Sequence, residues 1–416
     1  LQALDPGFAY FGKVGALEFA TQDGSHKVRV AARTFNGNYS KTFPGLEDTA
    51  AMTADTTREM VIPNLTSNAS YRSSMGLFNP SASPVNVQVT LVDGNGAAVG
   101  SPFTKNLVAY DFQSFNPFVA AGHSYPTYSH DNVCAYVAPT SGAGRVMMFG
   151  GSANNTTNDP AAHLAVQAAG AYDNSPTAFQ VVPEVIWAMA TGGGTWVTEA
   201  QIVDLTGGSQ VSVYFNYGGG NRTGPFLLWT GGGARTSIKF ANLLEAVDAQ
   251  DSGSLAYFGR VGTVEFVTPD TSQKIHVAVR TLNGNYTKTF PGLNVVDGTT
   301  AAVGRDMLVQ NLTSNAVYRS SIGFFNPSAE ALTVEFRLMA DNGTLVGSSF
   351  SRTFVSRDFQ SFNPFNAAGV PYPTYMHDNV WLLVHPTAGS GSVLGFGATA
   401  NNVTNDPASH IVVRLN

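Results

Sequence analysis

The densest cluster of side chains able to do chemistry is His130-Asp131-Asn132 together with Asn154-Asn155. The set recurs 247 residues later as His377-Asp378-Asn379 and Asn401-Asn402. A hairpin of 133–139 with 145–150, turning at Ser141-Gly142-Ala143-Gly144, is expected to bring both polar turns to one end. Their side-chain oxygens suit a hard cation, so Asp131, Asn132, Asp378 and Asn379 are candidate metal ligands. Calcium takes roughly six to eight oxygens, several of them carboxylate. Only Asp131 and Asp159 supply carboxylates, and histidine is a poor calcium ligand. A hydrogen-bonded turn network is therefore the stronger expectation, and no cofactor is indicated.

Other chemistry finds no motif. The chain has no G-x-S-x-G elbow, no H-E-x-x-H, no P-loop and no dinucleotide fingerprint. Glu18 and Glu265 hold equivalent positions, yet neither has a second carboxylate nearby on its strand face. A glycosidase pair would have to be assembled from distant segments. The single cysteine, Cys134, has Trp381 as its counterpart. A thiol exchanged for an indole marks a packing position. No catalytic residue is assigned, and a non-enzyme is expected.

These residues must be positioned by β-structure. Val85-Asn86-Val87-Gln88-Val89-Thr90-Leu91 and Lys274-Ile275-His276-Val277-Ala278-Val279 alternate apolar and polar, which marks half-buried strands. Turn signals separate the runs: Asn36-Gly37-Asn38, Asp93-Gly94-Asn95-Gly96 and Asp341-Asn342-Gly343. The only helical pattern is short, at 240–246, and its counterpart at 115–118 holds a turn at most. The 247-residue offset runs without insertion from about Phe8 to His163, and each block divides again into units of two types. The expected architecture is all-β: tandem Ig-like β-sandwich modules. They comprise a partial module at 1–46 lacking its opening strands, and modules at 55–170, 178–293 and 302–416.

Thr195-Trp196-Val197-Thr198 with Ile202-Val203-Asp204 opens one such unit. Later turns read Arg33-Thr34-Phe35-Asn36, Arg280-Thr281-Leu282-Asn283 and Asn155-Thr156-Thr157-Asn158-Asp159-Pro160. This pattern resembles the tandem β-sandwich repeats of long secreted bacterial proteins. The resemblance implies an extracellular, non-catalytic module, often an accessory region of something larger, and it carries over no catalytic residue.

Between the two copies the strands exchange apolar residues while the connections change less. Phe112 and Phe115 return as Phe359 and Phe362, Tyr125 and Tyr128 as Tyr372 and Tyr375, and His130 as His377. Backbone chemistry explains Gly, Asn and Pro in such places. It does not explain Phe, Tyr and His, which are candidate contacts to a neighbouring module, another chain or a glycan. Sequons recur at Asn38/Asn285, Asn64/Asn311 and Asn155/Asn402, making these six candidate glycosylation sites. A net charge of -6, with only 12% charged residues, excludes the basic stripe that nucleic acid requires. No apolar run reaches the roughly 18 residues of a membrane span. In the partial module, Leu17, Phe19, Val28 and Val30 are expected to face a core the chain does not complete. A partial sandwich exposes strand edges that pair with other chains. The expectation is a self-associating extracellular structural protein, a subunit of a fibre or surface layer assembled head to tail. The alternative is an adhesin or carbohydrate-binding accessory module.

Overall fold

The structure is a computed structural model. It describes residues 16–19, 30–36, 39–44, 53–56, 58–123, 125–167, 177–190, 193–253, 255–284, 286–295 and 299–414. The described chain is nearly all β. A two-stranded hairpin comes first, β1 (Ala31–Asn36) and β2 (Tyr39–Pro44). The first sandwich follows: β3 (Met60–Ser67), β4 (Tyr71–Phe78), β5 (Val85–Val92), β6 (Phe103–Leu107), β7 (Phe112–Phe115), β8 (His130–Gly142), β9 (Met147–Asn154), β10 (Pro160–Leu164) and β11 (Val166–Gln167). These form a four-stranded sheet, β10-β9-β4-β7, and a five-stranded sheet, β11-β3-β8-β5-β6.

The alternation of β5 does its expected work: Val85, Val87, Val89 and Leu91 are buried and Gln88 is exposed. They meet Met75 and Leu77 from the opposite sheet in one core, each such side chain contributing about 1.5–3 kcal/mol of burial. Two asparagines explain fixed connections. Asn79 Nδ2 donates to the carbonyls of Ser83, Leu107 and Val108, tying two loops together. Asn116 Oδ1 accepts from Phe118 N and Val119 N, capping the one-turn helix α1 (Pro117–Ala120), and Pro117 sits at its first position.

The expected hairpin of 133–139 with 145–150 does not form. β8 lies between β3 and β5, whereas β9 lies between β4 and β10 in the other sheet. The glycine turn is a corner between sheets. Gly142 has φ +96, and a Cβ there or on Gly144 would strike the Ser83–Pro84 backbone.

The wedge, residues 178–293, contains β12 (Phe179–Met189), β13 (Thr195–Asp204), β14 (Gln210–Asn216), β15 (Arg222–Thr230), β16 (Thr236–Phe240), helix α2 (Leu243–Asp248), β17 (Arg260–Val267), β18 (Ile275–Asn283) and β19 (Tyr286–Pro291). Where the periodicity suggested two facing sheets, hydrogen bonds run through one sheet, β15-β14-β17-β12-β13-β18-β19, with β16 on β13. β12 shifts register between Val182 and Val185, and Val181 and Leu293 exchange backbone hydrogen bonds of 2.8 Å, so the sheet folds back on itself.

The second sandwich repeats the strand order of the first: β20 (Met307–Ser314), β21 (Tyr318–Phe325), β22 (Leu332–Met339), β23 (Phe350–Phe354), β24 (Phe359–Phe362), helix α3 (Pro364–Ala367), β25 (His377–Gly389), β26 (Leu394–Asn401), β27 (Pro407–Ile411) and β28 (Val413–Arg414). Its sheets are β24-β21-β26-β27 and β23-β22-β25-β20-β28. The wedge separates the outer face of the first sandwich's five-stranded sheet from that of the second sandwich's four-stranded sheet. At the centre β19 lies against β10 and β27, and β2 lies against the same two strands. Among the described residues no helix is long and apolar enough to cross a membrane.

Candidate assembly site

Of the polar side chains singled out in the sequence, Asp131 and Asn132 sit where the wedge locks onto the first sandwich. Gln201 on β13 is fully buried and works at both ends. Its Oε1 accepts from Asn64 N at 2.6 Å, and its Nε2 donates to Asn132 Oδ1 at 2.5 Å. Asn132 Nδ2 donates onward to Ser237 O at 3.1 Å. Lys239 Nζ lies 2.7 Å from Asp131 Oδ1, and Arg235 pairs with Glu59 at 2.8 Å while covering the Tyr136 ring. Between these pairs runs an apolar seam of Val61, Val92, Cys134, Tyr136 and Val166 against Val203 and Leu205. Burial pushes the Cys134 thiol up to about 12, so it packs rather than reacts.

On its other side the wedge shares its core with the second sandwich. Phe325, Phe359, Leu394 and Phe396 belong to the wedge's hydrophobic cluster. Glu265, with no exposure, is held by Arg222 at 2.5 Å and by Arg357 of the second sandwich at 2.6 Å. Two arginines around one carboxylate compensate the cost of burying it. The β14–β15 turn, Gly218-Gly219-Gly220, has positive φ throughout, and Gly219 N donates to Asp358 Oδ1 at 2.6 Å.

At the centre, Thr289 of β19 donates to Ala162 O on β10 and accepts from Ser409 Oγ on β27 at 2.8 Å. Beside it Asp159 and Asp406, equivalent in the two blocks, face one another next to Thr287. Both are 1% exposed, and neither Asp159 carboxylate oxygen makes a well-formed hydrogen bond. Burial, reinforced by the Asp406 charge, pushes the Asp159 carboxyl up to about 8. The sequence suggested Asp159 only as a cation ligand. Its recurrence as Asp406 at the repeat offset was legible, but nothing in the sequence brought the two together.

The remaining candidates fall as follows. The Asp131 carboxylate is occupied by an ammonium, and Asp378 Oδ1 accepts from Asn315 Nδ2 at 2.5 Å. Asn379 is exposed. Among the described residues no cluster of three or more metal-ligating side chains forms. In the second block the two polar turns meet through Asn315, whose Nδ2 donates to Asp378 and whose carbonyl accepts from Asn402 Nδ2. Asn154 Oδ1 caps its own turn, and Asn155 Nδ2 donates to the carbonyls of Asn68 and Ala69. Asn402 does the same to Asn315 and Ala316. Those amide nitrogens are the atoms a glycan would need. Asn64 and Asn311 both have φ 60, a conformation asparagine tolerates, which gives their recurrence a backbone cause. Asn38 and Asn285 lie outside the described residues, as does Val28.

Phe112, Phe115, Phe359 and Phe362 are strand residues of β7 and β24, not loop residues. Phe115 meets Phe103 edge-on and Phe362 meets Phe350 likewise. His130 stacks between Phe118 and Tyr128, and His377 between Phe365 and Tyr375. Tyr125, Tyr128, Tyr372 and Tyr375 are exposed. Leu17 and Phe19 are 60% and 59% exposed, whereas their wedge counterparts Val264 and Phe266 are fully buried. Comparison with known proteins finds no family model that matches the chain and no curated protein that matches it.

Proposed function

We propose that this is a non-catalytic, extracellular structural protein of tandem Ig-like sandwich modules that assembles by strand complementation. One observation carries the reading: the exposed run Ala16-Leu17-Glu18-Phe19. Its counterpart in β17 is flanked by β12 on one side and β14 on the other. Leu17 and Phe19 present an apolar face of the kind that a neighbouring polypeptide covers. The weakly charged composition and the resemblance to secreted repeats support the extracellular setting, and a fibre or layer is the form such assembly takes when complementation propagates. A second reading, glycan binding, is favoured by the exposed tyrosines in both sandwiches, since flat aromatic faces stack on sugar rings.

Sedimentation velocity and negative-stain microscopy test the first reading on the wild type and on the double variant Leu17→Asp/Phe19→Asp. The expected result is concentration-dependent association that the double variant abolishes. Identical monodisperse monomers for both proteins would sink it, and a glycan-dependent shift abolished in Tyr125→Ala/Tyr372→Ala would establish the second.

A further inference from the structure

The wedge covers one outer face of each sandwich, and the two faces it covers are different ones. The repeat therefore leaves two equivalent faces uncovered. The first is the outer face of the four-stranded sheet β10-β9-β4-β7. There Phe78, Phe112, Met147 and Phe149 are half-buried, whereas Phe325, Phe359, Leu394 and Phe396 are 0%, 4%, 0% and 1% exposed under the wedge. Val108 and Tyr110 on its rim are exposed. The second is the outer face of β28-β20-β25-β22-β23. Trp381 and Leu383 are half-buried there, whereas Cys134 and Tyr136 are 1% exposed.

These faces border a single site. The hairpin β1–β2 lies against β10 and β27 just as β18–β19 does, so it stands between the two uncovered faces as β18–β19 stands between the covered ones. Resting on the strand-complementation reading above, we infer that both faces and the exposed segment 16–19 form one docking surface, and that its occupant is a polypeptide segment of the β12–β16 kind. The first wedge shows what such a segment must bring. A glycine turn must donate a backbone N–H to Asp111, as Gly219 does to Asp358. Asp111 makes the same internal bond as Asp358, its Oδ2 accepting from the glutamine two residues on, which leaves Oδ1 for the incoming donor. The turn must be glycine because a Cβ on Gly220 would come within 3.0 Å of Ser356 O. A basic side chain must reach Glu18. Arg222 and Arg357 both serve Glu265, but the counterpart of Arg357 is Tyr110, so the occupant's arginine stands alone.

The test fuses a second copy of residues 178–247 ahead of Leu1 in the full chain and follows amide hydrogen exchange by mass spectrometry. Expected is a slowing of about tenfold or more at 16–19, at 108–112 and at 377–381 together, with loss of self-association. Asp111→Ala in the fusion should restore fast exchange at 108–112 while 16–19 stays slow. Slowing at 16–19 alone would overturn the docking surface and leave strand complementation standing. Fast exchange at all three, or in the added copy while 178–293 stays slow, would overturn both.

Discussion

The Asp159–Asp406 pair makes the stability of this protein fall in mildly alkaline solution. Asp159 lies in a site where burial comes first and the facing Asp406 charge second in raising its carboxyl to about 8. The folded chain therefore keeps a proton that the unfolded chain gives up near pH ~4. A group raised in this way stabilises the fold at low pH, and that contribution is lost as pH climbs from about 4 to about 8. The slope is about 1.4 kcal/mol per pH unit for one proton. Two histidines act oppositely at the lower end. His276 is lowered to about 4 by burial, and His130 is lowered by burial and by His123. Each gains stability as pH rises to about 6.5. Above that pH the carboxyl pair acts without them, and the loss to pH 8 is roughly 2 kcal/mol. The assay is urea unfolding at pH 6.5, 7.2 and 8.0 for wild type, Asp159→Asn and Asp406→Asn, comparing midpoints at constant m-value. Wild type should lose stability across the series, Asp159→Asn should be level because the titrating carboxyl is gone, and Asp406→Asn should keep a shallower slope because burial still raises Asp159. A variant that keeps the wild-type slope would refute the pairing.

Two further outcomes follow from particular contacts. A Cβ on Gly76 would overlap the Phe149 ring, and one on Gly323 the Phe396 ring. Phe396 is locked in the wedge core whereas Phe149 is half-buried, so Gly323→Ala should cost about 3 kcal/mol and Gly76→Ala about 1 kcal/mol in guanidinium unfolding; equal costs would contradict the difference in cover. His276 is fully buried with neither ring nitrogen hydrogen-bonded. His276→Leu should be neutral or stabilising by about 1 kcal/mol at pH 7. Its advantage should widen as pH falls from 6.5 towards 4, because unfolding no longer gains a proton there. A loss of stability at pH 7 in thermal denaturation would show that His276 has a polar partner.

The strands were legible because period-two alternation reports a pleated surface directly, as β5 shows. What alternation does not report is what lies on the polar side. β18 reads as half-buried, yet all but one of its residues are buried, because Arg280 lies over Tyr71 of the first sandwich and His276 is enclosed. The supposed hairpin at 133–150 failed for a related reason. A glycine-rich turn between two apolar runs looks alike whether it joins neighbours in one sheet or turns a corner between two. At the repeated His130-Asp131-Asn132, which opens β8, the partners are Gln201 and Lys239 of the wedge, which no local pattern identifies.

The repeat explains why a carboxylate pair lies at the centre at all. Exchanging the two blocks turns β2 into β19 and β10 into β27, and it carries each contact among these strands onto another that is also present. The four strands thus surround an approximate twofold axis. A residue beside such an axis meets its own counterpart, so a side chain that suits one block is confronted with a copy of itself. For Ala162 and Ser409 this is harmless, since Thr289 bridges one as donor and the other as acceptor. For an aspartate it forces two like charges together where water cannot screen them. The turn Asn-Asp-Pro holds its fold through backbone and asparagine contacts, Asn154 N to Asp159 O and Asn401 N to Asp406 O, which need no charge on the aspartate. The carboxyls therefore set the pH behaviour of the join between blocks without being needed for the turns that present them, and substituting either by asparagine separates the two roles.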